Sequence, residues 1–216
     1  MNRHIAIIII LFLTSFFNCQ VPVTFTQPQP TEINNLSRLP NRVQGQYVSL
    51  ADNSTLTVSD KLIKRTKDFD YKFHKNQLDS NQIISGNTLT DTETNKKYLI
   101  KKVGDSLLYH AHETDTLFKI SSDNVVKKFK GYYFLNRLYD KESWEVKKLS
   151  ISKGQLTISS ISTEYDLESL KEITETPQDT MLPYRFIATK KQFKEIIKSV
   201  GFSDNEVFVR LKKYGR

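Results

Sequence analysis

From Leu39 onward the chain is dominated by short runs in which apolar and polar residues alternate. Period-two alternation turns one side of a strand inward and leaves the other in water, the pattern of an antiparallel meander. The clearest case is Leu149-Ser150-Ile151-Ser152 and Gln155-Leu156-Thr157-Ile158, joined through Lys153-Gly154. The same reading predicts strands over Val43–Leu50, Thr55–Val58, Leu62–Arg65, Tyr71–His74, Gln82–Ser85 and Lys97–Val103. Further strands are predicted over Ser106–Ala111, Asp115–Ile120, Asn124–Phe129, Tyr132–Leu135, Trp144–Ile151 and Gln155–Ile161. Gly104-Asp105 reads as a two-residue hairpin loop, because glycine accepts the positive φ that a type II′ turn requires first.

Only near the C-terminus does the period change to 3.6. Phe193, Ile196, Ile197 and Val200 make one apolar stripe behind a Thr189 cap. Gly201 is expected to close that helix in the left-handed conformation. A shorter helix, Leu167–Ile173, is predicted behind an Asp166 cap, and Val207–Leu211 reads as a last strand. Glu175–Pro183, between the helices, reads as a loop. The fold class that follows is mainly β (α+β): an antiparallel meander with one C-terminal amphipathic helix. A weak echo relates Val43–Val48 to Phe129–Phe134 and Leu56–Ser59 to Leu149–Ser152. Two tandem β units, 40–128 and 129–216, would produce it.

The amino-terminal stretch follows neither period. Arg3 precedes the apolar run Ile5–Leu13, after which Thr14, Ser15 and Asn18 lead to Cys19, the sole cysteine of the chain. A positive start before an apolar run of this length is a secretory-signal pattern, and the run falls short of the roughly 20 residues that span a bilayer. Ending on a cysteine, the segment resembles the signal of bacterial lipoproteins. It departs from the strict form in having Phe16-Phe17-Asn18 where small residues usually stand. The resemblance implies removal of residues 1–18, fatty acylation (palmitate-type chains) at Cys19, and attachment to a membrane of the cell envelope, at the outer membrane or facing the periplasm. Residues 19–39, with Pro22, Pro28 and Pro30, read as a flexible linker. Twenty coil residues span roughly 25 Å, which would hang the domain 40–216 away from the surface.

Charge and composition narrow the partners. Thirty-two Lys and Arg against 24 acidic residues leave a net charge of +8. The lysines come as scattered doublets (Lys96-Lys97, Lys101-Lys102, Lys147-Lys148, Lys190-Lys191) and form no single basic patch, so a nucleic-acid partner is not expected. With no second cysteine, stability must come from burial.

His110-Ala111-His112 is the best candidate for chemistry: on a strand both imidazoles share a face with Leu108, opposite Leu107, Tyr109 and Ala111. Two histidines fall short of the three or four ligands of a zinc site, so neither a metal nor a cofactor is expected. Nucleophile elbows, His-Glu-x-x-His and glycine clusters are missing from the sequence. The carboxylate pairs Asp68/Asp70, Asp91/Glu93 and Asp140/Glu142 leave a glycosidase open. Lys127–Phe134 interleaves basic and aromatic residues, which suits a single-strand binder or, more simply, a strand with an aromatic face. The expected function is non-catalytic: binding or assembly within the envelope, with the membrane as one partner through Cys19 and another envelope protein or glycan as the other. The alternatives are a barrel-like carrier of a small apolar ligand, lined by Tyr47, Tyr133, Phe134 and Trp144, and a hydrolase of envelope polymers.

Overall fold

The computed structural model describes residues 22–174, 181–199 and 201–211. The predicted signal and Cys19 lie outside the described residues. The fold is mainly β, an antiparallel meander in which β1 and β14 pair parallel. In chain order the strands begin with β1 (Val23–Phe25), β2 (Asn35–Leu36), β3 (Gly45–Ser49), β4 (Thr55–Val58) and β5 (Leu62–His74). Then come β6 (Gln82–Ser85), β7 (Thr88–Asp91), β8 (Lys97–Val103), β9 (Ser106–Lys119) and β10 (Asn124–Phe129). The last five are β11 (Tyr132–Asp140), β12 (Ser143–Ser152), β13 (Gln155–Ser160), β14 (Tyr184–Phe186) and β15 (Asp204–Arg210). Helices α1 (Glu164–Ile173) and α2 (Lys190–Lys198) interrupt the later strands.

The chain forms two compact units. The first holds the described residues up to Ser37, Ile120–Ile151 and Thr157–Glu206. Its strands run in the order β2-β10-β11-β12-β13, and β1 pairs antiparallel with β12 and parallel with β14. Its core is aromatic. Phe193 of α2 meets Phe134 edge-on with centroids 5.0 Å apart and Phe25 at 6.0 Å. Phe186, Ile196 and Leu170 are buried beside them. Each fully buried phenylalanine contributes about 1.5–3 kcal/mol, so the two helices are held chiefly by this cluster.

The second unit holds Arg38–Lys119, Ser152–Leu156 and the chain from Val207. Its order is β15-β3-β4-β5-β9-β8-β7-β6, a plain meander apart from β15. Strands β5 and β9 pair from Leu62↔Lys119 to His74↔Ser106, with a bulge at Ile63/Lys64. At one end of this unit Tyr47 is fully buried; its hydroxyl donates to Val43 O at 2.8 Å and accepts from Arg210 Nη2 at 2.5 Å.

Several expectations need correction. From Pro22 to Ser37 the predicted linker is part of the first unit: Val23, Thr24 and Phe25 are all buried in β1. Its prolines mark turns of an ordered strap, since Lys127 Nζ donates to Pro28 O and Pro30 O, each at 2.9 Å. The division into units falls at Ser37/Arg38 and Lys119/Ile120, not at 128/129. The echoed motifs are also unlike: Gly45 opens β3, whereas Gly131 sits in the β10–β11 turn at φ 88°. Leu62–Arg65 and Tyr71–His74 are one strand, as are Ser106–Ala111 and Asp115–Ile120. The α1 cap is Thr163, with Asp166 three residues on returning the bond in a capping box. Gly201 is not left-handed; a Cβ there would lie 2.8 Å from Ile196 Cγ2, so the glycine answers a close approach.

Candidate functional site

Where β5 and β9 lie side by side, Asp68 is opposite His112 and Asp70 opposite His110. Both strands step two residues along the same face, so four chemistry-bearing side chains form a ladder on it. His112 Nδ1 lies 2.7 Å from Asp68 Oδ1, and His110 Nδ1 lies 3.0 Å from Asp70 Oδ1. His110 Nε2 also reaches Asp68 Oδ1 at 3.5 Å. All four side chains are more than half exposed. The hydrogen bond and charge of Asp70 raise the His110 pKa above its usual 6.5, with a smaller contribution from Asp68. The hydrogen bond to His112 is the main cause holding Asp68 below its usual 3.8. Water screens each effect.

This ladder is a proton-responsive surface with donors and acceptors two strands wide. Among the described residues, no group of three His, Cys, Asp or Glu is arranged to hold a metal ion. Beside it Asp70, Leu99, Lys101, Leu108 and His110 line an open depression of about 290 Å³. Leu99 is 81% exposed there, unusual for so large an apolar side chain.

The reverse face of the same strands is aromatic. Tyr71 stacks on Tyr109 with centroids 4.9 Å apart, Tyr98 lies 4.7 Å from Tyr109, and Phe69 meets Tyr71 edge-on at 4.7 Å. Burial pushes the Tyr109 hydroxyl up to about 12, helped by Tyr71 and Tyr98. Leu107, Leu89 and Ile100 close a small core beneath the rings, while Tyr71 stays 46% exposed. The predicted facing of Leu107, Tyr109 and Ala111 against His110 and His112 is therefore what the strand adopts.

The other candidate residues are scattered. Tyr47 belongs to the second unit; Tyr133, Phe134 and Trp144 belong to the first. Tyr133 and Phe134 are neighbours on one strand and therefore do not face the same side of their sheet. Asp91 and Asp140 each end a strand and cap the turn that follows: Asp91 accepts from the Glu93 and Thr94 amides, and Asp140 from the Glu142 amide. Those amide bonds, led by Thr94 and by Glu142 respectively, lower both carboxyl pKa values. In the basic–aromatic stretch Lys127 is buried, so the run presents no continuous basic surface. Burial alone lowers its pKa. Lys148, also lowered by burial, has its ammonium 5.5 Å from the Tyr132 ring and 5.2 Å from that of Phe202. The Asp68–His112 and Asp70–His110 pairings were beyond sequence reasoning, because the partners are 44 and 40 residues apart. The one signal was the matching spacing of two in both segments.

The chain matches no protein-family model, no curated protein and no solved structure.

Proposed function

We propose that this chain is a membrane-anchored lipoprotein of the cell envelope, working as a non-catalytic binding or assembly module. Support comes first from its amino terminus, where a charged start and an apolar run end on the only cysteine. One acyl chain holds a protein to a membrane only reversibly, whereas the two or three implied by the resemblance make release slow. In this reading attachment is through Cys19; among the described residues no helix is long and apolar enough to cross a membrane.

The observation that carries the binding role is the five-stranded sheet β5-β9-β8-β7-β6. It puts Ile83, Leu99 and Val103 into solvent, each at least 49% exposed, on the strand face that carries the His–Asp ladder. A patch that mixes large apolar groups with hydrogen-bonding ones suits a protein or glycan partner. The test is extraction of the native membrane in mild detergent, followed by affinity capture and mass spectrometry. Acylated Cys19 and a partner lost on Leu99→Asp substitution are expected. An intact amino terminus with a free thiol would overturn the anchor, and capture unaffected by Leu99→Asp would overturn the binding surface.

A further inference from the structure

We propose that the exposed tip at Met181-Leu182 dips into the surface of the same bilayer that holds Cys19. The inference rests on the lipid-anchor reading above and deepens it by naming the face turned to the membrane.

Three relationships within the first unit lead there. Strands β1 and β14 run parallel, Val23 beside Tyr184, and Tyr184 N donates to Pro22 O at 2.9 Å. Met181, Leu182 and Pro183 therefore lie at the same end of the pair as Pro22. Next, Cys19 precedes Pro22 by three residues, so an extended chain separates their Cα atoms by at most about 11 Å. A headgroup layer is itself roughly 5–8 Å deep on each side of the hydrocarbon. A tether that short leaves the start of β1, and whatever lies beside it, at headgroup level. Lastly, what lies beside it has the chemistry of an interface. Met181 is 78% and Leu182 47% exposed. Behind them the Lys171 ammonium sits 5.4 Å from the Tyr184 ring centre. An amphipathic ring with a lysine lying over it is common at the level where apolar chain meets water. Net charge contributes little, since Lys147 near Pro22 is offset by Glu145 and Asp204.

The chain has no cysteine besides Cys19, so a single probe can be placed cleanly. The acylated full chain, carrying Met181→Cys labelled with a polarity-sensitive fluorophore, is reconstituted into phosphatidylethanolamine–phosphatidylglycerol vesicles. Lys141→Cys, in the β11–β12 turn toward the Trp144 end of β1, is the reference. Both sites are exposed, so neither label disturbs packing. The expected result is severalfold quenching at 181 by a lipid-borne nitroxide and none at 141. Equal, water-like emission at both sites in acylated protein overturns the tip insertion and leaves the anchor standing. Emission at 181 that is dry in native membranes yet unquenched by lipid would give the tip to a protein partner, and overturns it too. An unacylated Cys19 by mass spectrometry removes the anchor and the proposal together.

Discussion

Asn136 and Gln29, 107 residues apart, pair as two amides: Gln29 N donates to Asn136 Oδ1 at 2.6 Å, and Asn136 Nδ2 returns a bond to Gln29 O at 2.9 Å. Both residues are buried. The side chain of a central strand thus does for the proline strap what a neighbouring strand's backbone would do. Asn136→Ala leaves both main-chain groups of Gln29 without that partner, and a buried unsatisfied group costs about 1–3 kcal/mol. A fall in the urea midpoint is expected, with cleavage appearing first near Gln29 under limited proteolysis.

The ladder on β5 and β9 makes stability depend on pH in two windows. His110 has a raised pKa in the fold, so its contribution is complete below the unfolded value near 6.5 and is lost as pH rises through the folded value. Asp68 is lowered, so its contribution is present above 3.8 and is lost as pH falls through the folded value. Thermal midpoints should therefore decline as pH rises from about 6.5 through the folded His110 value, and again as pH falls from about 3.8 through the folded Asp68 value. Asp70→Asn should return the His110 titration toward 6.5 by NMR and flatten the upper slope.

Lys153 and Gly154 form a two-residue turn with φ of 48° and 80°. Positive φ at both positions is the type I′ geometry that Asn-Gly fits best. Lys153→Asn should stabilise by a few tenths of a kcal/mol to about 1 kcal/mol, while Gly154→Ala should destabilise, as read from chemical denaturation.

Gly201→Ala tests whether space, rather than backbone conformation, sets that position. The added methyl would meet Ile196 Cγ2 at 2.8 Å and Ile196 O at 3.1 Å. A loss of about 1–3 kcal/mol is expected from such overpacking. Gly201→Ala should cost less in an Ile196→Ala background, where Cγ2 is gone, than in the native chain.

How much of this was legible follows from burial. Strands with one dry face, such as Leu56 and Val58 in β4 or Leu156 and Ile158 in β13, carry the alternation and were placed to within a residue. The middle of β5 and β9 was read as broken, because Lys67, Asp68 and Asp70 stand where a two-layer sheet would need apolar residues. That stretch is wetted on one face and only half covered on the other, so its period is charge against aromatic. Strands β1 and β14 are three residues each and too short to show any period; their pairing partners identify them. The His–Asp ladder was half visible: the facing of His110 and His112 follows from strand geometry, but the acids opposite depend on register across a long connection.

The strap that begins at Pro22 also decides how the molecule takes a load. Tension entering from the amino-terminal side runs along β1, so its ladders to β12 and β14 are strained in shear, all bonds together, rather than unzipped singly. Past Thr26 the same force meets the Gln29–Asn136 pair and the Lys127 ammonium gripping Pro28 and Pro30. A body tugged by its attachment point would part from that point last.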